Sequence, residues 1–139
     1  MVLILAIGTI LVSERVVLNV PFQQESITRL DQARKWALEF IMFADAHGNQ
    51  LPADFAQLGP TAGLSESNWE IVSGGNLNRL AHPDQTILLR EKEARKSPRG
   101  EFVKSYAFAD GHVDRLWSPD GDFSALEKKR GFLSQPARD

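Results

Sequence analysis

The apolar residues of this 139-residue chain are unevenly distributed, and the densest group stands at the N-terminus. Fourteen of the first 20 residues are apolar, and Glu14 and Arg15 are the only charged ones. The run from Val2 to Val12 is shorter than the roughly 20 apolar residues that a membrane-spanning helix needs. Three interpretations of residues 2–20 stay open: an atypical membrane anchor, a buried β-hairpin or pair of strands, and a signal-like sequence. We expect Pro21 to end this element, whichever it is.

The overall composition excludes several classes of protein. The chain is 42% hydrophobic and contains no cysteine, which excludes a disordered chain, a disulfide scaffold, thiol catalysis, cysteine-ligated zinc and iron-sulfur clusters. Its length allows one ordinary domain. A formal net charge of −2 gives no electrostatic reason to expect nucleic acid as a partner.

The spacing of apolar residues predicts a long helix from Ser26 to Ala46. Thr28 and Asp31 resemble a capping pair at its start, and Gly48 suits the left-handed position after its last turn. Further large apolar residues widen the apolar surface, so we expect the helix to pack against a sheet. The face itself consists of Leu30, Ala33, Ala37, Phe40, Ile41 and Ala44, widened by Trp36, Met42 and Phe43.

Shorter elements follow in the second half of the chain. A charged connection covers residues 91–100, and a short final helix begins at Ser124, where Ser124 and Glu127 form a capping box, and ends at Gly131. The remaining predictions are a helical turn near residues 53–58 and strands at residues 69–73 and 86–91.

Residues 101–117 carry the strongest local signal, a β-hairpin turning at Asp110-Gly111. A two-residue turn pairs Ala109 with His112 and Phe108 with Val113. Alternation then places Phe102, Tyr106, Phe108, Val113 and Trp117 on one face, and Ser105, Ala107, Ala109, His112 and Asp114 on the other. We expect the aromatic face to meet the long helix.

These elements predict an α+β fold, with a long N-terminal helix packed on a three- or four-stranded antiparallel sheet and a short C-terminal helix. We divide the chain into three parts. Residues 1–25 form a hydrophobic N-terminal segment, a possible anchor or strand. Residues 26–133 form the globular domain, and residues 134–139 form a tail.

Acidic residues supply the candidate metal sites. Asp120 and Asp122 flank Gly121 in a loop that could offer carboxylates to calcium, although a turn followed by a helix N-terminus is the favoured interpretation. Asp110, His112 and Asp114 alternate in a way that could aim ligands at one metal. We interpret them instead as a turn residue and a hydrated strand face.

Two other patterns have a functional and a simpler interpretation. Ser105, His112 and Asp114 are the residue types of a nucleophilic triad, but no nucleophile elbow surrounds Ser105. Residues 90–104 carry a local charge of +3, which we interpret as a solvated loop, with contact to nucleic acid or acidic lipid as the alternative.

Two segments resemble one family. The segment Phe43-Ala-Asp-Ala-His-Gly-Asn-Gln-Leu-Pro52 resembles a region of type II secretion pseudopilins and type IV pilin-like proteins that follows their long helix. The segment Tyr106-Ala-Phe-Ala-Asp-Gly-His-Val113 is similar to the core of the prepilin-type processing-associated domain. That domain is named for a His separated from Asp-Gly by nine residues, and Gly100 stands at the position of this His here. The family's processing signal is also absent from residues 1–20.

The resemblance implies a helix cradled by an antiparallel sheet and a protein without catalytic activity. It implies partners among other pseudopilin or secretion-machine subunits, and a place in the cell envelope with the globular domain on the periplasmic side. Residues 2–20 would then associate with the membrane. Some pseudopilins bind calcium in a late loop, which bears on Asp120 and Asp122; otherwise no cofactor is expected. The alternative function is a soluble module that binds a small ligand or calcium.

Overall fold

The computed structural model describes the backbone of residues 2–61 and 63–129 and the side chains of residues 20–61 and 63–128. Its first element is one long helix, α1 (Val2–Ala46). The predicted end at Ala46 is confirmed, whereas the predicted start at Ser26 is wrong. The hydroxyl of Thr28 donates to the carbonyl of Gln24, 2.9 Å away, within the helix, and does not cap its start.

Pro21 lies inside α1 and does not end it. A proline within a helix removes one backbone hydrogen bond, at a cost of about 3 kcal/mol. The helix nevertheless continues on both sides, so a strand at residues 2–20 is wrong and no break falls between residues 25 and 26. The anchor and the signal-like sequence stay predictions. Among the described residues, no helix has both the length and the apolar content that crossing a membrane requires.

One face of α1 is buried against the sheet, as its periodicity predicts. The buried apolar residues of this face lie between Ala33 and Ala44. Met42, however, is 56% exposed and does not widen this face as expected. The fully packed side chains are Ala33, Trp36, Ala37, Phe40 and Ala44.

A left-handed turn ends α1 and joins it to the next loop. Gly48 and Asn49 have φ angles of 63° and 65°, and the Asn49 amide donates to the Ala44 carbonyl at 2.7 Å. This Schellman geometry confirms the predicted role of Gly48. Gln50 then forms an isolated β-bridge with Asn76, which fixes the direction in which the chain leaves the helix.

The sheet is antiparallel and four strands wide, although it contains five strands. Strand β4 (Phe102–Phe108) is central. One of its edges pairs with β2 (Ile87–Glu91) and then with the two-residue β3 (Arg95–Lys96), while the other edge pairs with β5 (Val113–Ser118). Strand β1 (Trp69–Ile71) extends the sheet beyond β2. The predicted α+β architecture is confirmed.

The β4–β5 hairpin forms, but its register differs by one residue from the prediction. The Phe108 amide donates to the His112 carbonyl at 2.9 Å, and Ala107 stands opposite Val113. The loop therefore has three residues, with Gly111 in the left-handed position at φ 93°. Asp-Gly suits this loop as well as the two-residue turn.

The hairpin register and the large side chains of α1 together decide which face of the sheet α1 covers. Ala107 and Ala109 pack against α1, whereas Tyr106 and Phe108 lie in a second cluster with Leu116 and Phe123. The expectation that the aromatic face meets α1 is wrong. Trp36 and Phe40 of α1 already fill that space, so only small residues fit beneath them. Val113 and Trp117 share the α1 face and not the face of Phe102.

A short helix, α2 (Ser124–Lys129), covers the second face and confirms the predicted C-terminal helix. Phe123 is buried at its start and belongs to the cluster of Tyr106 and Phe108. The predicted helix end at Gly131 and the tail at residues 134–139 lie outside the described residues.

The orientation of α1 predicts unequal effects for two of its large residues. Phe40→Ala should lower the free energy of unfolding by about 3–5 kcal/mol, because Phe40 is fully buried. Met42→Ala, on the exposed side, should change it by less than about 0.5 kcal/mol. Urea denaturation measures both values. Equal losses would contradict the orientation of α1.

Candidate functional site

The predicted calcium residues lie in the loop between β5 and α2, where Ser118 holds the loop closed. The Ser118 hydroxyl lies 2.8 Å from Asp120 Oδ1 and 2.9 Å from the Asp122 carbonyl oxygen, and it accepts the Gly121 amide proton at 3.1 Å. The Asp122 amide donates to Asp120 Oδ1 at 3.0 Å. The carboxylate of Asp122 in turn accepts the Ser124 amide at 3.0 Å.

These hydrogen bonds keep both carboxylates ionised. The Asp122 amide and the Ser118 hydroxyl lower the pKa of Asp120, and the hydroxyl and amide of Ser124 lower the pKa of Asp122. Both aspartates are exposed, and one oxygen of each is already engaged. The described residues contain no group of three or more acidic or histidine side chains placed to hold a metal. Calcium binding by Asp120 and Asp122 therefore stays a prediction. The turn and the start of α2, which the sequence favours for these residues, are present in the structure.

Asp110, His112 and Asp114 are engaged in stabilising the hairpin. Asp110 Oδ1 accepts the His112 amide at 3.1 Å and also contacts His112 Nδ1. The imidazole stacks on Phe108, with ring centroids 4.1 Å apart and planes 5° apart. The Asp114 carboxylate accepts the Arg115 amide at 2.8 Å. These bonds agree with the interpretation as a turn and a strand face.

The three residues of the candidate triad do not come together. Ser105 is fully buried on the face covered by α1, whereas His112 and Asp114 lie on the opposite face. The one-residue difference in hairpin register separates them. The expectation that they share a face is therefore wrong, and a nucleophilic triad of these residues is excluded.

A buried polar group that the sequence analysis missed joins α1 to the sheet. We call Ser26, Arg29, Glu91, Arg95 and Ser105 the Glu91 cluster. Glu91 is 2% exposed; its carboxylate accepts the Ser105 amide at 2.8 Å and two bonds from Arg95 at 3.1 and 3.3 Å. Arg95 also donates to Ser26 Oγ of α1 at 2.8 Å, and Arg29 Nε lies 3.6 Å from Glu91 Oε1.

The Glu91 cluster leaves two polar atoms without a partner. Ser105 Oγ and Arg29 Nη1 are buried and make no hydrogen bond within the described part of the chain. The one sequence signal for the cluster is an acidic residue at the end of an apolar strand, with Arg95 four residues later. The sequence pattern places Glu91 both at the end of the predicted strand 86–91 and at the start of the charged connection 91–100, and neither assignment predicts a buried carboxylate.

A second buried carboxylate lies on the other face of the sheet. Glu127 of α2 is 4% exposed and accepts the Tyr106 hydroxyl at 2.9 Å and Arg90 Nη1 at 2.8 Å. The predicted capping box is wrong, because Glu127 faces the sheet and Asp122 receives the Ser124 amide. Glu127 stands four residues after Phe123, so both side chains lie on the face of α2 that packs against the sheet. The Glu127 carboxylate therefore meets β4 and does not turn back to the start of the helix.

Burial and charge shift the pKa values around Glu127. Burial, and then the negative charge of Glu127, raise the pKa of Tyr106 well above its usual range. Burial lowers the pKa of Arg90, but its hydrogen bonds and charge interactions with Glu70 and Glu127 outweigh this, so the net pKa is raised. Tyr106 and Arg90 are therefore neutral and positive, respectively, at physiological pH.

A groove of about 640 Å³ opens where α1 passes the end of β5 and the turn between β3 and β4. We call it the Trp117 groove, because Trp117 forms one wall and is 42% exposed. Nothing in the sequence analysis brought its parts together, since they come from three separate segments. Its lining includes Phe22, Ile27, Arg99, Glu101, Arg115 and Trp117.

The Glu91 cluster predicts a large loss of stability when its carboxylate is removed. Glu91→Ala should lower the free energy of unfolding by about 3–5 kcal/mol, because it leaves the largely buried guanidinium of Arg95 and the buried Ser105 amide without their acceptor. Glu93→Ala, at an exposed position two residues away, is the matched control and should change it by less than about 0.5 kcal/mol. Urea denaturation compares them, and a small effect at Glu91 would contradict the cluster.

Tyr106 is the only tyrosine of the chain, so tyrosinate absorbance reports this residue alone. In the unfolded chain it should titrate near pH 10, and in the native chain only well above that. Since the folded pKa is raised, its contribution to stability is complete below pH 10 and is lost as the pH rises further.

Glu127→Gln should lower the native titration midpoint of Tyr106, because it removes the negative charge but keeps an oxygen acceptor. The midpoint should remain above 10, because burial is the larger cause of the shift. Glu93→Gln, the exposed control, should leave it unchanged. A native chain that titrates near pH 10 while circular dichroism shows it folded would contradict the buried hydrogen bond.

Comparison with known proteins gives no relative from which a function could be transferred. No protein-family model matches the chain, and no curated protein or solved structure is significantly similar to it.

Proposed function

We propose that the chain is a non-catalytic, pseudopilin-like subunit of a type II secretion or pilus-like assembly in the cell envelope. It would act through contacts with other subunits of that assembly. The observation that carries the proposal is the length of α1 relative to the sheet. Sequence resemblance in two segments adds to it.

Helix α1 is much longer than the sheet that covers it. At 1.5 Å per residue, its 45 residues extend about 68 Å, whereas the seven residues of β4 extend about 24 Å. The buried residues of its described side chains fall between Ser26 and Ala44. The helix continues to Val2 through a segment that is mostly apolar. An apolar helix beyond its own domain needs another environment, which a membrane or the helices of neighbouring subunits would supply.

The two segments that resemble the family lie next to each other in the fold. Residues 43–52 contain the end of α1 and the left-handed turn, and residues 106–113 contain the hairpin. Ala44, Leu51 and Ala109 belong to one buried cluster. A Cβ added at Gly111 would lie 3.3 Å from Ile41 Cδ1, so the hairpin loop approaches α1 closely. Their joint packing supports the interpretation that the two segments form one unit of the fold.

The alternative function has weaker support. A soluble module that binds calcium through Asp120 and Asp122 would need several further oxygen ligands. The separation of Ser105 from His112 also favours a role without catalysis by these residues.

The proposal predicts that residues 2–20 hold the full chain in the membrane fraction of a bacterium that has a type II secretion system. Ile4→Asp with Ile10→Asp should release it, since each aspartate in a membrane helix costs about 3 kcal/mol. Immunoblots of carbonate-extracted membranes measure the distribution, and cross-linking followed by mass spectrometry identifies neighbouring subunits.

Leu38→Asp together with Met42→Asp is the matched control, because both residues are exposed on the same helix. It should leave the chain in the membrane fraction. A wild-type chain found only in the cytoplasm, with no cross-link to a secretion subunit, would refute the proposal.

A further inference from the structure

The Trp117 groove combines exposed aromatic and aliphatic surface. The Phe22 and Trp117 rings have centroids 6.1 Å apart, and the guanidinium carbon of Arg95 lies 5.7 Å from the centroid of Phe22. Ile27, on the next turn of α1, is 58% exposed. An exposed tryptophan beside an exposed isoleucine is costly in water, which indicates a surface that meets another phase or molecule.

Two arginines line this groove without a carboxylate partner. Arg29, Arg90 and Arg95 each pair with a glutamate. Neither Arg99 nor Arg115 forms an ion pair with any described residue. Within the described part of the chain, the groove therefore offers two guanidinium groups that no carboxylate pairs with.

The acidic groups near this groove do not cancel its positive charge. Among the described residues that line it, Glu101 is the one carboxylate against Arg99 and Arg115, so this lining carries a net positive charge. Asp120 and Asp122 lie at the same end of the sheet, but their loop packs beside Phe102 on the face away from α1. Guanidinium groups bind phosphate oxygens through paired hydrogen bonds, so a phosphate group suits this charge.

The groove also lies at a particular distance along α1. Phe22 is two residues past the apolar segment 2–20 and Ile27 is seven residues past it, which corresponds to about 3 Å and about 10.5 Å from the end of that segment along a helix. The headgroup layer on each side of a bilayer is about 5–8 Å thick. A membrane that contained residues 2–20 would therefore place its headgroups beside Phe22, at the edge of the groove nearest the apolar segment.

We propose that the Trp117 groove binds the phosphate headgroup of anionic phospholipids, with Arg99 and Arg115 on the phosphate and the Trp117 and Phe22 rings at the edge of the acyl region. This inference rests on the proposed function, because it assumes that residues 2–20 enter a membrane. Tryptophan is typical of membrane interfaces, and arginine adds attraction to anionic lipid. An acidic peptide could also bind these arginines, but the position of the groove next to the apolar segment 2–20 favours lipid.

The test uses the full chain with vesicles of phosphatidylcholine alone or with added phosphatidylglycerol. Flotation measures association, and tryptophan emission with acrylamide quenching reports on the groove. Trp36 and Trp69 are 2% and 0% exposed, so changes in emission come from Trp117. We expect a blue shift and reduced quenching that grow with the phosphatidylglycerol fraction and weaken with salt.

Charge reversal at the groove should abolish this response. Arg99→Glu with Arg115→Glu should lose the phosphatidylglycerol-dependent shift of Trp117. Arg34→Glu with Arg79→Glu changes the net charge equally at exposed positions away from the groove, and it should retain the shift. Circular dichroism of both double variants verifies that they fold.

Each outcome has a distinct meaning. Flotation with neither kind of vesicle would refute both this inference and the proposed function. Flotation with both kinds, with Trp117 emission independent of phosphatidylglycerol and of the arginines, would refute the inference alone. An arginine-dependent shift with soluble glycerol phosphate or with a polyglutamate peptide, and none with vesicles, would also refute the assignment to lipid. An arginine-dependent response to anionic vesicles supports it.

Discussion

The fold depends on the packing of two aromatic side chains of α1 onto small residues of β4 and of the hairpin loop that follows it. Trp36 and Phe40 share one buried cluster with Ala107 of β4 and Ala109 of the loop. Because the side chains of α1 are large, the side chains beneath them must be small for the interior to reach normal packing density. This complementarity decides which face of the central strand meets α1. Tyr106 and Phe108 consequently point to the opposite face, where they need α2 and the loop before it as a cover.

Each of the two covers is fixed to the sheet by a buried carboxylate. Glu91 connects α1 to β2, β3 and β4 through Arg95 and the Ser105 amide, and Glu127 connects α2 to β4 and β2 through Tyr106 and Arg90. Such groups add little net stability compared with apolar residues of the same size, because burying their charge is costly. They do penalise any other placement, since a shifted helix would leave a charge buried and unpaired. We therefore infer that the two carboxylates fix the positions of the helices more than they raise the free energy of unfolding.

The sequence predicts the local elements well, because helical periodicity and strand alternation are properties of neighbouring residues. The buried face of α1, the turn at Gly48 and the presence of the β4–β5 hairpin were all predicted in this way. The register was not, since Asp110-Gly111 suits loops of two or three residues, and one residue moves every side chain of β5 to the other face. The prediction that Pro21 ends an element is wrong for a similar reason. Proline is a strong local signal for a helix end, but here the chain is helical on both sides of it.

The candidate sites were predictable to different degrees. The hydrogen bonds of Asp120 and Asp122 are made within six residues, so their role as a turn and a helix start could be predicted from sequence. The Glu91 cluster and the Trp117 groove could not, because their parts come from α1 and from strands far along the chain. Their assembly depends on the register and on the covered face, which are the two features that the sequence left undetermined.

Arg95 shows how the core and the groove depend on one another. Its guanidinium bonds to Glu91 and Ser26 and also lies over the ring of Phe22, so one side chain sets both the position of α1 and a wall of the groove. The ion pair of Arg95 with Glu91 therefore orients α1 and at the same time helps to hold Phe22 beside Trp117. Arg99 and Arg115 of the groove form no ion pair with any residue that the structure describes, so the charge that lines the groove is separate from the one that holds α1 on the sheet.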